Sequence, residues 1–115
     1  MDLEFTRGDT QILKLQIKDL DGNILKLTEN DELYFTLKQN ANSEEVLLQK
    51  TLKNNGINLK EDNFYYITLK PEDTSNLGYG TYTYDIEVKS NDFVKTLILA
   101  TITLTEEVTW KGDEV

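Results

Sequence analysis

The sequence predicts an all-β domain, a two-sheet antiparallel β-sandwich of about seven to nine strands. Short segments in which apolar and polar residues alternate recur along the chain, and clusters of turn-forming residues separate them. Helical character is clear only near residues 71–77, where we expect one short helical turn. The 115 residues suit one domain, so we expect a single sandwich over residues 1–110 and a short tail at 111–115.

The first half of the chain is expected to hold a short strand, a turn and two longer strands. Gly8-Asp9 is good turn chemistry between the first two strands. Asp21-Gly22 predicts a hairpin turn after the second, because glycine adopts a positive φ at little cost. We expect the alternating apolar residues of "TQILKLQIKDL" and "ELYFTLKQ" to face the core; they are Leu13, Leu15, Ile17, Leu33, Phe35 and Leu37.

The segment from 43 to 56 is open to two interpretations. A helix would have Ser43 as its N-cap and Gly56 as its C-terminal stop. A strand, "VLLQKTL", would end in an Asn55-Gly56 turn. The neighbouring segments are all strands, and a lone helix would need its own place on a sheet face, so the strand is favoured.

The second half of the chain predicts three more strands and the helical turn. "FYYITLK" and "TYTYDIEVK" alternate cleanly. In "FVKTLILATITLT" the apolar phase set by Leu97 and Leu99 changes before Ile102, which indicates a bulge or a strand that crosses between sheets. Pro71 suits the first position of the helical turn, because its missing N–H needs no partner there.

Composition excludes several kinds of catalytic and metal site. The chain has 0 Cys and 0 His, which rules out disulfides, thiolate or imidazole zinc sites, and Ser-His-Asp or Cys-His catalysis. Adjacent acids such as Glu44-Glu45 lie in polar stretches, where solvated surface is the expected state. Asp19, Asp21 and Asn23 resemble a calcium loop only in part, because the glycine comes too early for such a loop. We therefore expect no enzyme activity, no cofactor and no metal.

The charge of the chain argues against two classes of partner. The formal net charge is −9, from 21 acidic and 12 basic residues. Such a chain repels phosphate backbones and anionic lipids, so we expect neither nucleic acid nor a membrane as partner. The N-terminal stretch has no basic and apolar signal for secretion, and no apolar run is long enough to span a bilayer. We expect a protein that is made and kept inside the cell.

Two local motifs invite a structural interpretation. Arg7-Gly8-Asp9 is the tripeptide that adhesive proteins present to integrins. Arg7 is also the only arginine of the chain, which suggests that it has a specific partner. Asp85 lies in mid-strand, where Asp has poor β-propensity, so we expect it to form an ion pair with Arg7; the alternative is a solvated Asp. Tyr82 follows Gly80 by two residues, a position from which a tyrosine hydroxyl can reach back to the backbone before the turn. The alternative is that Tyr82 is an ordinary core residue.

Four aromatic residues are candidate interface residues. Tyr65 and Tyr66 are neighbours on a strand, so one of the two rings should face outward, and Tyr34 lies on the polar phase of its strand. Exposed tyrosine is favoured at protein interfaces, although each ring could instead shield a neighbouring strand. Trp110 follows the last strand and either closes the end of the sandwich or docks on a partner.

Several segments taken together resemble small structural proteins of phages and prophages; they are "FTRGDT", "DLDGNILKLT", "LKPEDTSNL", "GTYTYDIEV" and "TLILATITL". Those proteins often begin with a Thr-Arg-Gly-Asp segment. They often carry a Gly-x-Tyr-x-Tyr-Asp-Ile strand, here Gly80–Ile86, and an acidic-Val-Thr end, here Glu107–Thr109. The chain departs from the pattern at Ala100, where such strands often have glycine.

This resemblance implies an immunoglobulin-like sandwich that is a virion component, similar to the adaptor domains of tails and baseplates. It implies assembly in the bacterial cytoplasm and contacts with other virion proteins or with further copies of the chain. Two other functions remain as alternatives. A bacterial surface adhesion module would present Arg7-Gly8-Asp9 on a protruding loop, and a carbohydrate-binding sandwich would need an exposed aromatic platform on one sheet face.

Overall fold

The computed structural model describes residues 1–91 and 93–106. Within them the chain forms eight strands and one short helix: β1 Leu3–Thr6, β2 Gln11–Leu15, β3 Glu32–Lys38, β4 Leu48–Thr51, β5 Ile57–Leu59, β6 Tyr65–Leu69, α1 Pro71–Thr74, β7 Gly80–Lys89 and β8 Val94–Thr105. A five-stranded sheet has the order β1-β8-β7-β3-β4, and a three-stranded sheet has the order β2-β6-β5. The predicted all-β architecture of two sheets is therefore confirmed. The expected end of the sandwich at residue 110 and the tail at 111–115 lie outside the described residues.

Among the strands that the structure describes, pairing is antiparallel with one exception. β1 pairs in parallel with β8, so that Leu3 lies opposite Ile102 and Thr6 lies opposite Thr105. The connection at residues 7–10 explains this departure from the predicted antiparallel pattern. The chain leaves the five-stranded sheet after β1 and enters the three-stranded sheet as β2, which pairs with β6, so β1 and β2 do not form a hairpin.

The core lies between the two sheets and is made by alternate residues of their strands. Its buried members are Leu13, Ile17, Leu33, Phe35, Leu37, Ile57, Tyr65, Ile67, Leu69, Tyr82, Tyr84, Ile86, Val88, Ala100, Ile102 and Leu104. Burial of one such large apolar side chain contributes about 1.5–3 kcal/mol. For β2 and β3 the alternation in the sequence thus predicted the inward faces correctly, although Leu15 is only partly buried.

The second strand ends at Leu15 and is therefore shorter than "TQILKLQIKDL" predicts. The chain nevertheless continues into the expected hairpin. An isolated bridge joins Lys18 to Ile24, and the backbone N–H of Gly22 donates to the Asp19 carbonyl at 3.0 Å. Gly22 has a φ of 85°, the conformation that glycine adopts most easily.

The last strand contains a bulge, as its change of apolar phase predicts, but the bulge lies nearer its start. Ile86 pairs with Ile98 and Glu87 pairs with Thr96, which leaves Leu97 unpaired. Beyond the bulge the even-numbered residues face the core. Leu99 consequently points outward and is 64% exposed.

The segment from 43 to 56 contains the strand β4 and no helix, so the favoured interpretation is confirmed. Asn54 shapes the turn that follows the strand, because its side-chain oxygen accepts the backbone N–H groups of Thr51 and Gly56. The carboxylate of Glu32, which is 7% exposed, accepts the backbone N–H of Leu52 at 2.9 Å. These contacts fasten the crossing from the five-stranded sheet to the three-stranded one.

The helical turn spans Pro71–Thr74, which is shorter than the predicted 71–77, and has Pro at the start of the helix. The Asp73 carboxylate accepts the backbone N–H of Lys70 at 2.7 Å and pairs with the Lys50 ammonium at 2.8 Å. Because Lys50 belongs to β4, this pair ties the helical turn to the five-stranded sheet. No helix among the described residues is long and apolar enough to cross a membrane.

Candidate functional site

The Arg-Gly-Asp segment lies against the loop that contains α1. Gly8 has a φ of 86°, and its backbone N–H donates to the buried Thr74 hydroxyl at 2.9 Å. The Arg7 guanidinium donates to the Leu77 carbonyl at 3.0 Å and lies 4.3 Å from the centroid of the Tyr79 ring. Arg7 and Gly8 are therefore held on the body of the domain, and of the tripeptide only the third residue is classed as exposed. This is not the protruding loop that an adhesion module requires.

The predicted ion pair between Arg7 and Asp85 is wrong. Asp85 lies in the middle of β7, with Thr36 and Leu99 as its register partners. Arg7 contacts residues just before β7 begins at Gly80. Asp85 is five positions along the strand from Gly80, about 16 Å at ~3.3 Å per residue, which is too far for an arginine side chain to bridge.

Tyr82 makes the contact that its position after Gly80 predicts. Its hydroxyl donates to the Gly78 carbonyl at 2.7 Å, while the residue as a whole is 5% exposed and belongs to the core. Gly80 has a φ of 130°, which an L side chain rarely adopts. Tyr82 thus closes the corner between the α1 loop and β7, and its role is structural.

The outer face of the five-stranded sheet carries exposed apolar side chains around one carboxylate. We call this surface the Asp85 face; it consists of Tyr34, Thr36, Lys38, Val46, Asp85, Glu87, Val94 and Leu99. Val46, Val94 and Leu99 are 46%, 57% and 64% exposed. Two pockets on this face share Thr36, Lys38 and Asp85 among their lining residues; Leu99 lines one of them, and Val46 and Val94 line the other.

Asp85 lies at the centre of this face, and its carboxylate is partly withdrawn from water. Burial raises the pKa of Asp85, and the nearby Lys38 ammonium opposes that effect. A partner that covers this face must therefore keep Asp85 close to Lys38 or supply hydrogen-bond donors of its own, or else bury the carboxylate at a cost. That requirement would add specificity to a contact driven by apolar area.

The neighbouring tyrosines of β6 have opposite surroundings. Tyr65 is 1% exposed, and its hydroxyl accepts the backbone N–H of Leu27 at 2.8 Å, so its assignment as an interface residue is wrong. Tyr66 faces outward, which agrees with the prediction that one of these two rings does so. Its hydroxyl donates to the Asp62 carboxylate at 2.5 Å, which lowers the pKa of Asp62, and the Lys60 ammonium lies 4.4 Å from its ring centroid. The Tyr66 ring is thus already engaged within the chain.

Trp110 and the motif Glu107–Thr109 lie outside the described residues. Tyr34 lies on the outward side of β3 and is half-buried, with Glu87 and Thr51 as its register partners. Of the four candidate interface residues, the described part of the chain thus places Tyr34 alone on the Asp85 face.

A second concave surface lies at the end of the sandwich between the β2–β3 connection and the β7–β8 hairpin. This lysine-rimmed groove has a volume of about 380 Å³; its apolar lining residues are Ile17, Leu25, Leu27, Val88, Phe93 and Leu97. Its charged lining residues are Lys18, Lys26, Lys95 and Asp31. The Asp31 carboxylate accepts the backbone N–H of Thr28 at 2.9 Å, a bond that lowers the pKa of Asp31. The groove is therefore apolar inside and carries a positive excess at its edge.

The region of Asp19, Asp21 and Asn23 is a turn. One Asp19 carboxylate oxygen accepts the backbone N–H groups of Asp21 and Asn23, each at 2.9 Å. In the part of the chain that the structure describes, no group of three or more acidic side chains could hold a metal ion.

Sequence reasoning missed the apolar residues of the Asp85 face and the groove. Leu99 was placed on the core phase of its strand, and Val46 lies just before β4, where periodicity carries no information on direction. The groove joins two connections that are far apart in the sequence. The change of apolar phase in the last strand was the one sequence signal for the exposure of Leu99. It indicated a bulge but did not show at which residue the bulge lies.

Comparison with known proteins identifies no relative: no protein-family model and no curated protein matches the chain.

Proposed function

We propose that this chain is a non-enzymatic structural component of a phage or prophage virion, an adaptor domain that binds another virion protein through the Asp85 face. The observation that carries the proposal is the exposure of Leu99, Val94 and Val46 on one sheet face. Exposed aliphatic side chains gain free energy when a partner removes them from water, so their presence on one sheet face favours binding there. Tyr34, a residue type favoured at interfaces, lies on the same face.

The sheet arrangement supports an immunoglobulin-like sandwich, the fold that the phage resemblance implies. In that fold, strands B, E and D belong to one sheet and strands C, F and G to the other. The orders β2-β6-β5 and β3-β7-β8 correspond to those sets if β2 is taken as strand B. The Tyr82 hydroxyl bond to Gly78, near the start of β7, supports the same interpretation.

The contacts of the Arg-Gly-Asp segment weigh against the adhesion alternative. Arg7 bonds to the Leu77 carbonyl and stacks near Tyr79, so an integrin could engage Arg7 only after those contacts break. The carbohydrate alternative has little support, because the outward ring of Tyr66 is covered by lysine and its hydroxyl bonds to Asp62.

The proposal is tested by asking whether the protein is part of a particle. Particles are purified by density gradient from an induced strain that carries the gene, and their proteins are quantified by mass spectrometry. We expect the chain at a fixed ratio to the major virion proteins, and its absence from purified particles would refute the proposal.

The Asp85 face is tested in the same preparation with Leu99→Asp. Burying a leucine of this exposure contributes about 1.5 kcal/mol or more, and a buried charge opposes binding further, so we expect incorporation to fall at least ~10-fold. Ile12→Asp is the matched control, because Ile12 is 52% exposed on β2 of the other sheet. Equal incorporation of the two variants, each folded by circular dichroism, would exclude this face as the contact.

A further inference from the structure

The lysine-rimmed groove has a chemistry of its own, apart from the Asp85 face. Its floor includes Ile17 and Val88, which are 8% and 5% exposed, and its rim includes Phe93, which is 52% exposed. Three lysines line it on a chain whose net charge is −9. Among the described residues, the ion pairs involve Lys14 and Lys50 and none of these three. The ligand that fits is an acidic peptide with a large apolar side chain.

The chain itself contains a segment of that chemistry. Residues 106–115, "EEVTWKGDEV", follow β8 and combine four acidic side chains and one lysine with Trp110 and two valines. We propose that the groove binds residues 106–115 of a second copy of this chain, with Trp110 against the apolar floor and the acidic side chains beside Lys18, Lys26 and Lys95.

The short distance along the chain from β8 to Trp110 favours binding to the groove of a second copy over binding to the groove of the same chain. Leu97, in the groove, and Thr105, at the end of β8, are eight positions apart, about 26 Å at ~3.3 Å per residue. Trp110 is five positions beyond Thr105, which an extended chain spans in at most ~18 Å. Binding within one chain would thus require the segment to turn back along β8 in a fully extended form, a constraint that the groove of a neighbouring copy does not impose.

Such a contact joins unlike surfaces, because the groove of one copy receives the C-terminal segment of the next. A contact of this type produces a ring if the rotation between copies closes and an open chain if it does not. The inference goes beyond the proposed function and uses a different surface, so a failure of one leaves the other standing.

Trp110 is the single tryptophan, so its fluorescence reports directly on this contact. We expect the emission of the full chain to shift to shorter wavelength as protein concentration rises, in parallel with the mass measured by analytical ultracentrifugation. Lys18→Glu/Lys95→Glu should weaken the association at least several-fold. Lys60→Glu/Lys70→Glu carries the same change of charge on lysines that do not line the groove, and it should associate like the unmodified chain.

A mixing experiment separates this contact from others. The Lys18→Glu/Lys95→Glu variant retains Trp110 but has a defective groove, whereas Trp110→Ala has an intact groove and no tryptophan. Adding Trp110→Ala to the groove variant should restore the shift in emission. The proposal is overturned if the emission is independent of concentration, which would indicate a contact within one chain or none. It is also overturned if mixing restores nothing, or if both double variants lose association equally.

Discussion

Replacing Tyr82 by Phe removes one hydroxyl and leaves the ring in the core. The lost bond is the donation to the Gly78 carbonyl at 2.7 Å. The net contribution of such a bond is about 0.5–1.5 kcal/mol. Gly78 is exposed, so water can replace the hydroxyl at its carbonyl, and no acceptor is left without a partner. We therefore expect a loss of about 1 kcal/mol in the free energy of unfolding.

That loss corresponds to a measurable shift in melting temperature. For 115 residues, an unfolding entropy of about 2.1 cal/mol/K per residue gives ~240 cal/mol/K, so ~1 kcal/mol lowers Tm by about 4 °C. Thermal and urea unfolding followed by circular dichroism measure both quantities. The control is Tyr34→Phe, since no hydrogen bond of the Tyr34 hydroxyl is found among the described residues. If the two variants were equally stable, the bond to Gly78 would not hold the corner.

Three further variants test other contacts. Glu32→Ala removes the carboxylate that accepts the backbone N–H groups of Leu33, Leu52 and Lys53 and should cost about 2–3 kcal/mol in urea unfolding; a cost below ~0.5 kcal/mol would contradict this. Burial raises the pKa of Asp85 above 3.8, so the stability contributed by its protonated form is complete below pH 3.8 and lost as pH rises through the folded value. Asp85→Asn should accordingly be more stable than the unmodified chain at pH 7, with a gap that closes in acid, and a gap independent of pH would refute the assignment. Arg7→Lys should lose about 1 kcal/mol, because lysine cannot both stack and donate to Leu77 through a planar fork; an unchanged Tm would count against that.

The sequence predicted those parts of the fold that depend on local alternation. A strand with one face in the core must place every second residue inward; the apolar residues of β3 and β7 follow that rule, while Glu32 at the start of β3 is buried as well. The Tyr82 contact was predictable for a related reason. The hydrogen bond joins Tyr82 to Gly78, four positions earlier in the sequence, so the two residues are close whatever the strand order.

Contacts between distant segments were not predictable in the same way. The Arg7–Asp85 pair was inferred because Arg7 is the only arginine and Asp has poor β-propensity in mid-strand, but its formation depends on strand order and register. The parallel pairing of β1 with β8 places Arg7 near the start of β7, and nothing in the local sequence specifies that pairing. The same limit applies to Tyr65 and Tyr66, because periodicity shows that their rings point in opposite directions without showing which ring the core receives.

The bulge at Leu97 contributes a residue to each of the two candidate surfaces. Lys95 and Leu97 line the groove at the inner side of the sandwich. Strict alternation would then place Leu99 on that inner side as well. Because Leu97 is unpaired, Ile98 faces the core and Leu99 turns to the Asp85 face. One additional residue in β8 thus supplies an apolar wall to the groove and an apolar group to the opposite face, and bulges commonly redirect side chains at functional surfaces in this way.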